Sequence, residues 1–213
     1  MSKTPEAASS LRRQPIQDRA QRTIETIFQA TAQIVASEGE SALSTNKIAA
    51  KAGFSIGTLY QYFPTKEAIL IAMIARERRR VLDQLGSILE EAVKNQRSAQ
   101  EIVETLIHLL VESFASGPKL QRAMIRLAWQ VDHLDAITQA LREASETLSM
   151  YLARMAASDV SGLRFRTSPA TLFVLTRAVM GAIRSASLER SSLLGSKEFE
   201  TELVKLCLGL LIE

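Results

Sequence analysis

The hydrophobic positions recur at the three- and four-residue spacing of an α-helix along most of the chain. One stripe lies between Asp18 and Ser37, and a later one lies between Thr65 and Val93. The last two apolar segments run from Pro169 to Leu188 and from Lys197 to Leu211. Between these segments, the pattern predicts helices over residues 102–114, 119–129 and 134–155. No stretch shows the alternation of a strand, so we predict an all-α protein.

The stretch from residue 43 to residue 68 has a different pattern, typical of two short helices joined by a tight turn. Ser44 or Thr45 can cap the first helix, because a short hydroxyl side chain accepts a bond from a free backbone N–H. Gly53 can end this helix in the left-handed conformation, and Ser55 can cap the next one. Pro64 ends the second helix, since the residue before a proline avoids helical geometry.

The second short helix has a polar surface without charge. Leu59 and Phe63, four positions apart, can both face a core. The remaining positions carry hydroxyls, one amide and no charged group: Ser55, Gly57, Thr58, Tyr60, Gln61 and Tyr62. Such a surface suits contacts with base edges and phosphates in a major groove, which admits one helix. The alternative is a solvated helical hairpin of no particular function.

These residues carry a resemblance to a known family. The run IAAKAGFSIGTLYQYFPTKEAI resembles the DNA-binding signature of TetR-family transcriptional regulators. The positions that match this signature are Ile48, Ala49, Ala52, Gly53, Phe54, Ser55, Gly57, Thr58, Leu59, Tyr60, Tyr62, Phe63, Lys66, Glu67 and Ile69. Thr65 departs mildly from it, at a position that is usually Ser, Asp or Asn. The resemblance implies an N-terminal three-helix helix-turn-helix domain and a C-terminal helical bundle for ligand binding and dimerisation.

We therefore predict two groups of DNA contacts. The first group positions the module on phosphates and comprises Thr45, Thr58, Tyr60, Tyr62 and Lys66. The second group reads bases and comprises Asn46, Ser55, Ile56, Gly57 and Gln61. Ile56 can contact only a thymine methyl group. With so few long polar readers, we expect specificity to depend partly on DNA shape.

The predicted organisation is a flexible arm over residues 1–17, a DNA-binding domain over 18–66 and an effector and dimerisation domain over 67–213. Residues 1–66 hold eight Lys or Arg and five Asp or Glu, whereas the remainder holds 18 of each. The net charge of +3 therefore comes from the predicted DNA-binding part. The single cysteine, Cys207, fits a reducing cytoplasm. We expect no apolar segment to be long enough to span a bilayer, and we predict a cytoplasmic protein.

The last two helices predict a dimer, because they are apolar on more than one face. Two such helices from each of two chains would form a four-helix interface, and the resemblance implies the same arrangement. The predicted interface residues are Leu172, Leu175, Val179, Ile183, Leu203, Leu206 and Leu208. The alternative is that these residues are buried in one larger monomeric core.

The interior of the bundle is a candidate site for a small hydrophobic or amphipathic effector, since ligands bind between the helices of bundles. The candidate residues are Phe114, Met124, Trp129, His133, Met150, Met155, Phe173 and Arg177. Each of them is also compatible with a plain core position. The resemblance implies that the bundle binds an effector, whose chemistry varies across the family.

No catalytic motif, metal-ligand spacing or cofactor-binding loop is present in the sequence, so we predict a protein that is not an enzyme and has no cofactor. The prediction is a homodimeric repressor that binds a palindromic operator and is released by an effector. Two alternatives stay open. One is a similar regulator without a small-molecule effector, and the other is a helical carrier or sensor of hydrophobic ligands.

Overall fold

Eight α-helices form the protein over the residues that the computed structural model describes, which are 10–115, 134–157 and 165–212. They are α1 (Ser10–Glu38), α2 (Thr45–Ala52), α3 (Ile56–Tyr62), α4 (Lys66–Lys94), α5 (Ala99–Ala115), α6 (Leu134–Ala157), α7 (Pro169–Leu188) and α8 (Lys197–Leu211). A 3-10 turn, Glu40–Ala42, lies between α1 and α2. The described residues contain one isolated antiparallel bridge, between Phe165 and Ile212, and no strand. The all-α prediction is confirmed.

The chain divides into two compact units between Leu70 and Ile71. The division lies about one helical turn beyond the boundary that we placed after residue 66, because Ile69 and Leu70 are buried with the first unit. The α4 segment contains this division, so its first turn belongs to one unit and its remainder to the other.

The first helix begins earlier than the sequence pattern suggested. It starts at Ser10, so residues 10–17 are helical rather than part of a flexible arm, and the prediction was wrong for them. Pro15 is the sixth residue of α1, where it removes the backbone hydrogen bond to the Leu11 carbonyl. Leu11 to Gln14 are favourable helix formers, which offsets part of that cost.

The first unit has an aliphatic core between α1, α2 and α3. Its most deeply buried aliphatic side chains are those of Ile27, Ile34, Ile48 and Leu59, together with Ile69 in the first turn of α4. Thr31 lies in the apolar stripe of α1 and is also fully buried. Its hydroxyl donates to the Ile27 carbonyl at 2.8 Å, which satisfies the polar group without a partner from another helix.

The second unit is built around α5, α7 and α8, with α6 beside them. Val103, Ile107 and Val111 of α5 pack in one core with apolar residues of α7 and α8. The starts of α7 and α8 are capped in the same way as those of α2 and α3 in the first unit. Ser168 and Ser196 each accept a hydrogen bond from the backbone N–H three residues on.

The predicted dimer interface needs correction. Five of its members expose at most 4% of their surface and belong to the core of the second unit: Leu172, Leu175, Val179, Ile183 and Leu203. Leu208 is partly buried against the same core, and only Leu206 is exposed. The apolar pattern correctly indicated burial, but the face of α5 within the same chain covers these residues.

The α7 helix also corrects the statement on membrane-spanning segments. By length and composition it can cross a membrane, with a mean hydropathy of 1.2 over an 18-residue window. Its only charged residues are Arg177 and Arg184. The core helix of a globular protein passes the same test, and the buried face of α7 belongs to the core just described.

Two groups of polar side chains join α4 to α6 in the second unit. Arg79 of α4 pairs with Glu143 of α6 at 2.6 Å. One Glu90 carboxylate oxygen accepts from both Arg154 and the Tyr151 hydroxyl, each at 2.8 Å. Both ion pairs join residues 64 positions apart, so α4 and α6 run in the same direction.

These contacts predict that part of the free energy of unfolding depends on pH in the acid range. The hydrogen bonds from Arg154 and then Tyr151 lower the pKa of Glu90 from its ordinary 4.5 to about 2. Because the folded-state pKa lies below the unfolded one, this stabilisation is present above about pH 4.5 and is lost as the pH falls toward 2. We expect Glu90→Gln to reduce the acid dependence of the thermal midpoint between these values. An unchanged dependence would contradict the assignment.

Candidate nucleic-acid interface

The turn between α2 and α3 is determined by its capping residues. The Ser44 hydroxyl accepts a hydrogen bond from the Lys47 backbone N–H at 3.2 Å and so caps α2. Gly53 ends α2 in the left-handed conformation, with φ of 74°. Ser55 then caps α3 by accepting from the Thr58 backbone N–H at 3.1 Å. These contacts set the angle at which α3 leaves α2.

Replacing Gly53 by alanine is expected to destabilise the first unit by about 1 kcal/mol, because alanine pays a steric cost at positive φ. An added Cβ would meet nothing within 4 Å, so strain rather than a clash causes the loss. Gly86→Ala in α4 is the control, because this glycine lies within a helix and its φ is not positive. Chemical denaturation of the wild type and the two variants measures the change in stability. Equal stability of Gly53→Ala and the wild type would contradict this account.

The inner face of α3 is held by a small apolar contact. Leu59 is fully buried and Phe63, which caps the helix C-terminus, is nearly so. The Phe63 ring lies against that of Phe28 in α1, with the centroids 5.8 Å apart and the planes at 38°. Such a tilted pair is favourable beyond its burial. It orients α3 on α1, so the opposite face points to solvent.

The outer face of α2 and α3 gathers most of the predicted DNA contacts. Asn46, Ser55, Gly57, Tyr60 and Gln61 are exposed. The half-buried members of the set are Thr45, Ile56, Thr58, Tyr62 and Lys66.

Two hydrogen bonds order this face. The Tyr60 hydroxyl lies 3.3 Å from the Thr45 hydroxyl, which joins the exposed tip of α3 to the first turn of α2. The Ser55 and Thr58 hydroxyls lie 2.9 Å apart. Hydroxyl groups can donate and accept at once, so each pair keeps capacity for a further partner.

Lys66 has a role in the fold that the sequence did not reveal. Its Nζ donates to the Leu43 carbonyl at 3.2 Å, which ties the start of α4 to the segment before α2. An ammonium group has three donors, so this bond leaves two for a phosphate. Thr65 caps α4 by accepting from the Ala68 N–H at 3.1 Å, which leaves the other N–H groups of the first turn available.

Lys47 and Lys51 are basic side chains of α2 that the predicted contact set omitted. They lie four positions apart and therefore on one side of the helix. Lys47 forms an ion pair with Glu38, whereas Lys51 is exposed. Their charge and helical spacing are the signal that would have included them.

The second unit contains a cavity of about 240 Å³ lined by residues of all five of its described helices. Of the candidate effector contacts, Phe114 and Met155 line this cavity. Met150 and Phe173 are more than half exposed and lie outside its lining. Met124, Trp129 and His133 lie outside the described residues.

Arg177 also lies outside the lining, although its neighbour Thr176 is part of it. Its guanidinium donates to the Ser145 hydroxyl at 3.1 Å and lies 4.2 Å from the centroid of the Phe173 ring. The side chain thus joins α7 to α6.

The comparisons with known proteins agree with this geometry. Residues 27–73 match the model of the family described as bacterial regulatory proteins, tetR family. The chain is 25% identical over 147 residues to the transcriptional repressor KstR of Mycolicibacterium smegmatis, which covers 63% of this chain and 70% of that repressor. It is 31% identical over 81 residues to the fatty acid metabolism regulator protein of Bacillus subtilis, which covers 38% of this chain and 40% of that regulator. The chain therefore spans less than half of the second relative.

Solved structures show the same fold over nearly the whole chain. A TetR-family regulator from Mesorhizobium loti matches with a TM-score of 0.66 and 19% identity, covering 92% of this chain and 99% of the other. A second solved structure concerns the molecular basis for control of antibiotic production by bacterial hormones. It matches this chain with a TM-score of 0.63 and 23% identity.

Two capped short helices on an apolar core, with a polar outer face that carries no charge on α3, define a helix-turn-helix DNA-binding module. The matched family segment contains this module together with every predicted DNA contact. This chain carries the tetR-family domain over residues 27–73, and its repressor relatives and structural neighbours support a TetR-family transcriptional regulator. It is a DNA-binding regulator and not an enzyme, as the sequence predicted.

Proposed function

We propose that the protein binds a palindromic operator as a homodimer, represses transcription there, and is released by a small molecule in the cavity of the second unit. The observation that carries the proposal is the outer face of α3, where exposed hydroxyl and amide groups stand on a helix fixed by Leu59 and Phe63. Since the target is chromosomal, we propose a cytoplasmic location.

The DNA contacts divide by chemistry. We assign Thr45, Thr58, Tyr60, Tyr62 and Lys66 to phosphates, and Asn46, Ser55, Ile56, Gly57 and Gln61 to base edges. The hydrogen bond between the Tyr60 and Thr45 hydroxyls supports a shared phosphate contact, because it holds the two groups next to each other. Gly57 is exposed and carries no side chain, which supports close approach of the DNA.

The dimer interface is assigned to the outer faces of α7 and α8 rather than to their buried faces. Val174 is 51% exposed, and Leu188 and Leu206 are also exposed apolar residues. Gly181 and Gly209 have no atom within 4 Å of an added Cβ, which leaves room for a partner helix. A two-fold dimer would present its recognition helices to half-sites about 34–36 Å apart, or a multiple of that distance.

Effector control is supported by the cavity and by the path of α4. Residues of α4 line the cavity, and the first turn of the same helix carries Lys66. A ligand that favours one arrangement of α4 would change DNA affinity by its differential affinity for the two states.

Binding to labelled DNA from around the protein's own gene tests the proposal. We expect tight binding that resists nonspecific competitor, and a steep fall with salt because phosphate contacts release counterions. Tyr62→Ala and Lys66→Ala should each weaken it, whereas Ala153→Glu in α6 should not. If both contact variants bind like the wild type, a carrier of hydrophobic ligands becomes the better account. Effector-free regulation follows if no compound that binds the cavity alters DNA affinity.

Disruption of the outer face of α7 tests the dimer. We expect Val174→Glu to shift sedimentation toward the monomer and to weaken operator binding, because each chain would bury an unpaired charge at the interface. Ala153→Glu adds the same charge at an exposed position of α6 and serves as the control. A Val174→Glu protein that stays dimeric would contradict the assigned face.

A further inference from the structure

We propose that the cavity of the second unit takes an uncharged, hydrocarbon-rich ligand that makes no hydrogen bond to the side chains lining it. This inference rests on the proposed function only in treating the cavity as the effector site. It names the chemical class of the effector, and it is tested without DNA.

The lining is aliphatic on every side that the structure describes. Leu106 and Leu110 contribute from α5, and Leu148 and Leu152 from α6. Leu175 and Val179 contribute from α7, and Leu208 and Leu211 from α8. These helices bond their own backbone polar groups, so they present side chains rather than N–H or C=O groups to the cavity. The space therefore favours a ligand that loses little when it leaves water.

The two hydroxyl groups in the described lining already have partners. The Ser113 hydroxyl donates to the Leu109 carbonyl at 2.7 Å. The Thr176 hydroxyl donates to the Leu172 carbonyl at 2.9 Å and accepts from the Arg177 guanidinium at 2.9 Å. A ligand that accepts hydrogen bonds would have to break these donated bonds or leave its own acceptor unsatisfied, which is costly in an apolar site.

Cys207 is the third polar side chain of the interior and is 5% exposed. Burial raises the pKa of its thiol to about 11, so the group is neutral at physiological pH. A neutral thiol is a weak hydrogen-bond donor and behaves as a small hydrophobe. It therefore adds to the apolar lining.

The charged residues of the lining, Glu77 and Arg78, do not provide a free counter-charge. The Glu77 carboxylate pairs with Arg80 at 2.6 Å. Arg78 is partly exposed and already takes part in an interaction within the chain. A charged ligand would therefore have to compete with the partners that these two side chains already have, which costs more than burying a neutral one.

The volume sets the size of the ligand. An apolar cavity of about 150 Å³ holds one benzene molecule, so scaling to this cavity gives about ten carbon atoms. Naphthalene is a neutral ligand of that size, and 2-naphthoate is its charged counterpart. Comparing the two compounds shows whether binding depends on the apolar ring alone or on a charged group.

The test uses the full-length protein and measures the thermal midpoint with each compound. We expect naphthalene to raise the midpoint in a dose-dependent way, since a ligand that binds only the folded state stabilises it. We expect 2-naphthoate to bind at least roughly a hundredfold more weakly, because its carboxylate loses hydration and must compete for a guanidinium that already interacts within the chain. Naphthalene should also slow modification of Cys207, the only cysteine of the chain, by a small uncharged thiol reagent.

Filling the cavity provides the matched control. Ala144 of α6 lines it, whereas Ala153 of the same helix is exposed and lies outside it. Ala144→Phe should abolish the naphthalene response and Ala153→Phe should keep it. If Ala144→Phe does not fold, Ala140→Leu tests the same wall.

Two results would overturn the proposal: 2-naphthoate binding as tightly as naphthalene, or no naphthalene effect up to its solubility limit. Naphthalene binding that leaves operator affinity unchanged would support the ligand class and would contradict effector control, so the two proposals fail separately.

Discussion

Replacing Gly57 by alanine is expected to weaken operator binding by roughly tenfold or more, because a misplaced group at the interface costs 1–3 kcal/mol. The fold should tolerate the change. An added Cβ would meet only the Ser55 hydroxyl, at 3.8 Å, which is ordinary contact. Alanine also favours a helix over glycine by about 1 kcal/mol. Stability should therefore stay equal or rise while DNA affinity falls.

The opposite signs of the two effects make this variant informative. Fluorescence anisotropy with labelled operator measures the affinity, and urea denaturation measures the stability. Gly86→Ala in α4 is the control, because its added Cβ meets nothing within 4 Å and the residue lies outside the helix-turn-helix module. Unchanged operator affinity of Gly57→Ala would mean that the backbone of α3 does not approach DNA closely.

Replacing Leu59 by alanine is expected to have the largest effect on stability, about 2–5 kcal/mol, as for other large-to-small changes in a core. Leu59 is the fully buried residue that seats α3 on the rest of the first unit. A loss of this size is comparable to the whole stability of a small domain, so operator binding should also disappear.

The same substitution at an exposed leucine shows whether the loss of stability comes from burial or from the residue type. Leu193, between α7 and α8, is 50% exposed, and Leu193→Ala should change stability by no more than about 0.5 kcal/mol. Chemical denaturation followed by helical circular dichroism measures both variants. A small effect of Leu59→Ala would contradict the assigned seating of α3.

The local features of the DNA-binding module were predictable because their causes lie within a few residues. Ser44, Gly53 and Ser55 act through hydrogen bonds and φ values of the turn itself. The sequence resemblance then pointed to the module's function. The Lys66 bond to Leu43 was not predictable, because it joins residues 23 positions apart.

The burial of α7 and α8 was predictable, but not the element that covers each face. Periodicity shows that Leu175 and Val179 are buried, and it cannot distinguish a helix of the same chain from a helix of a partner. The structure resolves this by placing α5 against them. It leaves Val174 and Leu188 exposed, which moved the proposed interface to the other face.

The effector candidates show the same limit. Residue type alone selected Met150 and Phe173 together with Phe114 and Met155, although only the last two line the cavity. Where no clear periodic pattern surrounds a residue, the sequence does not show which way its side chain faces.

Selection of genomic fragments by the wild-type protein, followed by footprinting of the fragments that bind, tests the central claim most directly. The account predicts fragments that share a palindrome, with both half-sites protected and their centres about one helical turn, or a multiple of it, apart. Gly57→Ala should lose these fragments. Fragments without a common sequence, retained only at low salt, would show attraction to phosphates alone and would contradict a sequence-specific regulator.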